Sequence, residues 1–125
     1  MDTLFQQILD QHLHDDVQQL ALQRNRYSQL SDADFRFLLQ QIDGFQRTKD
    51  KLPSIAKIEN WWYPVRLSCE QCSSEATAQY KAQIINKLDI SKFIDLTGGY
   101  GIDSYFISEH VKEADYVERS PELCA

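Results

Sequence analysis

The stretch "FIDLTGGYGID" (residues 93–103) decides the fold. A short apolar run ends in Asp95, and three of the chain's four glycines, Gly98, Gly99 and Gly101, follow within four positions. Apolar residues running into a glycine cluster read as a strand that ends in a turn. The residues after Gly101 predict a helix over 102–110, and "ADYVE" (114–118) predicts a second strand. Strand, glycine loop, helix, strand is half of a parallel α/β sheet. Loops of this kind cradle a ligand at the helix N-terminus, because glycine lets the ligand approach the backbone.

Upstream, the pattern is helical. Ser73 or Ser74 caps a helix that runs through Ala76, Tyr80, Ile84 and Leu88. Before it, "PSIAKIENWWYPVRLSCEQCS" (53–73) is punctuated by Pro53 and Pro64 and predicts an extended or irregular connector. Residues 1–52 read as helices, with Leu4, Phe5, Ile8, Leu9, Leu13, Val17 and Leu20 at helical spacing. Asp15 or Asp16 is placed to cap a second helix and Ser31 a third, with Asp32 and Asp34 in its first turn. Phe35, Leu38, Leu39, Ile42 and Phe45 mark the core face of that third helix; Gly44 is its weak point, and Pro53 ends it.

The chain has 125 residues, 42% of them hydrophobic, enough for a packed core. No apolar run is long enough for a membrane span, and the acidic N-terminus is unlike a signal peptide, so a soluble, cytoplasmic protein is expected. Three cysteines do not suggest a secreted disulfide framework. Net charge is −6, and residues 91–125, with three basic against seven acidic groups, hold −4 of it. An acidic chain is a poor generic binder of nucleic acid, where phosphate contacts dominate affinity.

Charge also sorts the ligands of the glycine loop. Gly99, Gly101 and Ser104 match only part of the G-x-G-x-x-G dinucleotide fingerprint, although Glu118 stands where a ribose-binding acid belongs. Asp95 at the mouth of the loop and Asp103 just past it would repel a pyrophosphate by about a kcal/mol or more per close pair. A cationic ligand suits them better. S-adenosylmethionine carries a sulfonium and an ammonium, no phosphate, and a ribose whose two hydroxyls Glu118 can accept.

"FIDLTGGYGID" followed by "YVE" resembles the first two motifs of class I S-adenosylmethionine-dependent methyltransferases. "LSCEQCSSEATAQYKA" (67–82) is similar to the segment just upstream of the first motif in a family of methyltransferases with a THUMP-like C-terminal domain. The resemblance implies that Asp95, Gly98, Gly99 and Gly101 shape the cofactor loop, Glu118 holds the ribose, and Gln71 and Ser73 line the methionine end. It also implies RNA as the substrate class. The catalytic motif of class I enzymes usually follows the fourth strand, so no catalytic residue can be named.

The implied architecture is α plus α/β. An N-terminal helical domain and connector (1–66) precede the first β-α-β of a truncated, Rossmann-like domain (67–125). "SPELCA" (120–125) starts a helix with Ser at N-cap and Pro at N1, so the chain reads as the N-terminal piece of a longer enzyme, inactive by itself. Self-association through the truncated sheet is expected. The rival readings are a dinucleotide-dependent oxidoreductase fragment and a non-enzymatic helical interaction module with a vestigial α/β tail.

Two other patterns have weaker claims. Cys69 and Cys72 form a lone CxxC without the second pair of a structural zinc site, and read as ordinary thiols. Arg47, Lys49, Lys51, Lys57 and Arg66 interleave with Trp61, Trp62 and Tyr63. That mixture either stacks single-stranded nucleic acid or glues the helical region to the α/β part, and the second reading leads.

Overall fold

The computed structural model describes residues 2–124. Three helices open the chain: α1 (Thr3–His12), α2 (Val17–Ala21) and α3 (Asp32–Thr48). Each begins at a side-chain cap. Asp2 accepts the Leu4 N–H, Asp16 accepts those of Gln18 and Gln19, and the Ser31 hydroxyl accepts that of Asp34 at 3.0 Å. Arg24 ties down the turn between α2 and α3 by donating to the carbonyls of Tyr27 and Leu30 and to Asp32. The apolar stripes of the three helices meet in one core of Phe5, Ile8, Leu9, Leu20, Leu30, Phe35, Leu38 and Ile42. Leu39 packs at its edge, half-buried, whereas Phe45, also half-buried, meets the rings of His14 and Tyr63 instead.

Gly44 does not break α3. A Cβ there would overlap the Cβ of Tyr63, which presses on the helix at this point. Glycine is what lets the connector lie that close.

The second half holds α4 (Arg66–Gln71), α5 (Glu75–Lys87), β1 (Lys92–Asp95), α6 (Ile102–Ser108), β2 (Glu113–Tyr116) and α7 (Pro121–Cys124). The strands pair in parallel, Lys92 with Glu113 through Asp95 with Tyr116, so the connection through α6 is a β-α-β unit. Ser74 is the N-cap of α5, its hydroxyl accepting from the Thr77 N–H. Ala78 and Ala82 of α5 pack on Ile102, Phe106 and Ile107 of α6, and Leu52 and Ile55 of the connector join this second core.

Four expectations need correction. The third helix is not ended by Pro53: α3 stops at Thr48 and turns precede the proline. The connector is not irregular throughout. Residues 66–71 form α4, whose N-cap Val65 offers no side-chain bond, so nothing local announces it. It is held from α3 and the turn after it instead: Asp43 accepts from Arg66 at 3.2 Å, Arg47 reaches Glu70, and the Lys51 ammonium donates to the carbonyls of Cys69 and Glu70. The helix expected over 102–110 stops at Ser108. The second strand lies at Glu113–Tyr116 rather than 114–118, because Glu118 turns out of the ladder to bond backbone N–H groups of the glycine loop and its own turn.

The connector also carries a strap (residues 58–65) that crosses between the two cores. Gln41, fully buried on α3, fixes it by accepting the Tyr63 N–H and donating to the Tyr63 carbonyl at 3.0 Å. Its neighbouring tryptophans face opposite ways. Trp62 packs on Phe5 and Phe37 of the helical core, and Trp61 on Tyr100 and Tyr105 of the α/β part.

Candidate functional site

The glycine loop is held from three sides. From β1, Asp95 folds back over the turn: its Oδ1 accepts the Thr97 N–H at 3.0 Å and its Oδ2 accepts the Ser104 hydroxyl at 3.1 Å. From β2, Val117 accepts the Gly98 N–H at 2.8 Å, and the Tyr116 hydroxyl donates to the Gly99 carbonyl. The Tyr116 ring lies against Gly98 so closely that any Cβ there would overlap it. Gly101 enters α6 at φ +86°, in the left-handed region that glycine adopts without strain. The third side is the strap. Tyr100 receives the Trp61 indole N–H on its hydroxyl and donates to the Trp62 carbonyl at 3.4 Å. Burial pushes the Tyr100 phenol well above its ordinary pKa, so it stays protonated as a donor.

Glu118 closes the loop. Its Oε2 accepts the Gly99 N–H at 2.6 Å and its Oε1 the Ser120 N–H at 2.9 Å. Those bonds, Ser120 first and Gly99 second, hold its carboxyl below the usual range, so it is ionised at neutral pH. Each carboxylate oxygen keeps a lone pair for a ligand hydroxyl.

Between this loop and the α4–α5 junction lies a cavity of about 320 Å³, of the size that takes a small ligand. Gln71, Ser73, Gly98, Gly99, Gly101 and Glu118 all line it. Asp95 does not; it acts on the loop's backbone from behind. The structure thus brings six of the seven sequence-derived residues to one cavity, although α4, which carries Gln71, was not expected.

Sequence reasoning placed Asp103 beside the loop and Ser73 at the methionine end, but missed Lys81 and the meeting of all three. Asp103, in the first turn of α6, also lines the cavity. Its Oδ2 accepts the Ser73 hydroxyl at 3.1 Å and the Lys81 ammonium at 3.0 Å, while its buried Oδ1 has no partner among the described residues. Ser73, Lys81 and Asp103 come from three places in the chain, and no local spacing signals their meeting. The charged side chains lining the cavity are Asp103 and Glu118, and no lysine or arginine joins them there.

Of the CxxC pair, Cys72 also lines this cavity and Cys69 does not. The Cys69 thiol is buried against the Pro64 carbonyl, and Cys72 donates to the carbonyl of Cys69. Burial raises both thiols, Cys69 to about 11, so neither is a thiolate at neutral pH. Among the described residues no three His, Cys, Asp or Glu side chains converge as metal ligands. Trp61 and Trp62 join the two parts of the molecule, the packing role expected of them. No helix is long and apolar enough to cross a membrane among the described residues.

No protein-family model matches the chain, and no curated protein does. A solved structure does: a "putative methyltransferase" from Porphyromonas gingivalis W83, 28% identical, with a TM-score of 0.77 over 96% of this chain. The chain spans 29% of that protein's length. Its helical region and its two-stranded parallel unit together follow the fold of that neighbour.

Proposed function

We propose that this chain supplies part of the S-adenosylmethionine site of a methyltransferase whose acceptor is RNA, its two strands being the first β-α-β of a Rossmann-like domain. The observation that carries the cofactor is the cavity's lining: a glycine loop and two carboxylates, Asp103 and Glu118, with no cation among the lining side chains. A pyrophosphate there would face the Glu118 carboxylate and the Asp103–Lys81 pair with no lining cation to meet it, whereas an adenosyl group offers ribose hydroxyls to Glu118 and a cationic end to the free oxygen of Asp103. Glu118 accepts the ribose hydroxyls. Asp103 is paired with the Lys81 ammonium through Oδ2, and its Oδ1 has no partner among the described residues, so Gln71, Ser73 and that free oxygen hold the amino-acid end. Asp95 fixes the loop from behind, and Tyr100, which lines the cavity, ties it to the strap. When bound, the cofactor supplies the methyl group on its sulfonium. The acceptor class rests on the resemblance of residues 67–82 and 93–118 to methyltransferases with THUMP-like domains, and the acceptor-binding and catalytic parts belong to a longer protein.

Calorimetric titration with S-adenosylhomocysteine, with NAD run in parallel, tests the cofactor. Binding of S-adenosylhomocysteine and not NAD is expected. Glu118→Ala should weaken it by about 1.5–3 kcal/mol, a factor of roughly ten to a hundred, because a charge-assisted pair of bonds to the ribose is lost. Binding of NAD alone would overturn the reading.

A further inference from the structure

The strap reaches the glycine loop through one residue. Tyr100 stands between Gly99 and Gly101, both at positive φ, and its side chain leaves the loop to meet the strap. Its hydroxyl accepts the Trp61 indole N–H and donates to the Trp62 carbonyl, and its ring packs on that of Trp61 with centroids 6.2 Å apart. Trp61 is braced in turn by Tyr105 of α6, edge to face at 5.7 Å. Two residues further along the strap, Gln41 of α3 holds both the N–H and the carbonyl of Tyr63. A line of bonded groups thus runs from the helical core to the loop. Tyr100 lines the cofactor cavity, whereas Trp61, Tyr63 and Gln41 do not. The bonds from β2 and Glu118 end at Gly98 and Gly99. Beyond them the glycine-flanked backbone is free to sample many shapes unless the Tyr100 side chain selects one.

We propose that Trp61 is a positioning residue for the cofactor site: through Tyr100 it latches the glycine loop in its binding shape, so that the helical region sets how tightly the cofactor is held. This role rests on the cofactor reading above. A ligand binds the competent form of the loop, so its apparent dissociation constant rises as the population of that form falls. Loss of the indole donor releases Tyr100 and lowers that population. The coupling is reciprocal. A ligand that selects the latched loop also holds the strap in place, and a partner that drew the strap away from Gln41 would release the cofactor without touching the cavity.

Titration of the full chain with S-adenosylhomocysteine, paired with hydrogen exchange of the unliganded protein, tests the latch. Trp61→Phe keeps an aromatic ring and loses the donor; Tyr100→Phe keeps the ring and loses the hydroxyl. Each should weaken binding roughly three- to tenfold. The double variant should bind no more weakly than the weaker single one, because both changes cut the same connection. Without ligand, the Gly98 and Gly101 amides, bonded to the carbonyls of Val117 and Gly98, should exchange faster in both variants while α3 stays protected. Wild-type affinity in Trp61→Phe would overturn the proposal and leave Trp61 as packing alone. So would additive losses in the double variant, or unchanged exchange at the loop. A wild-type chain that binds no S-adenosylhomocysteine defeats the cofactor reading instead, and exchange then decides the latch by itself: faster loop amides in the variants uphold it, unchanged ones overturn it. Should Trp61→Phe lose protection in α3 as well, Tyr100→Phe carries the same expectations alone, and wild-type affinity or exchange in that variant overturns the latch.

Discussion

At the scale of the residue, the glycine loop works through single atoms whose partners lie far apart in sequence. Glu118 joins Gly99 and Ser120 through its two oxygens, and its carboxyl is held below the ordinary range by those N–H bonds. A group whose pKa is lowered on folding stabilises the fold fully above its unfolded pKa. That stabilisation is lost as pH falls through the lowered folded value. Thermal melts of the wild type should therefore decline on the acid side of the carboxylate range, and Glu118→Gln should show a shallower decline there. Parallel profiles for the two proteins would contradict the bonding described. Gly44 offers a test of opposing terms. Alanine gains about 1 kcal/mol of helix propensity over glycine. At this position its Cβ must displace Tyr63, and overpacking typically costs about 1–3 kcal/mol. Gly44→Ala is therefore expected to lower stability in a urea titration, and a stabilised variant would show that the strap yields freely.

Elements divide into those announced by their own sequence and those imposed by the rest of the chain. The starts of α2, α3 and α5 were legible because Asp16, Ser31 and Ser74 satisfy N–H groups two or three residues on, a purely local act. The glycine loop was legible for the same reason: Gly98, Gly99 and Gly101 cluster in the chain as they do in space. α4 was not. Its six residues have no capping side chain, and its support comes from Asp43, Arg47 and Lys51, roughly twenty residues upstream. The course of the strap was hidden too, since Gln41 sets it across 22 positions. Gln41→Leu keeps the bulk and leaves the buried Tyr63 N–H without its acceptor, at a cost of about 1–3 kcal/mol. Hydrogen exchange at the Tyr63 amide should then accelerate while α1 and α3 stay protected. Loss of protection throughout the helical core would mean that the strap and the bundle open as one unit.

The whole molecule is built on two cores of unequal finish. The helical core closes on itself around Leu38 and Ile42, both fully buried. The α/β core rests on a sheet of two strands and leaves Ile94, Leu96 and Val117 open. Local stability follows burial and enclosure, so amides of α3 should exchange most slowly and those of β2 and α7 fastest. A uniform rate across both halves would mean that the cores unfold together. This asymmetry was partly readable. The stripe of Phe35, Leu38 and Ile42 named its core correctly, whereas Tyr80, Ile84 and Leu88 keep an equally regular spacing and face outward. Periodicity locates a helix, but which side is covered depends on what else is present to cover it.

The chain has only two tryptophans, and they are consecutive. Because Trp61 lies on the glycine-loop side of the strap and Trp62 on the helical side, the protein carries an optical probe in each half. Trp62→Phe leaves an indole beside Tyr100 whose emission follows events at the loop, including ligand capture. Trp61→Phe leaves one that follows only the bundle. A single fluorescence trace can thus be resolved into two clocks, one for each core.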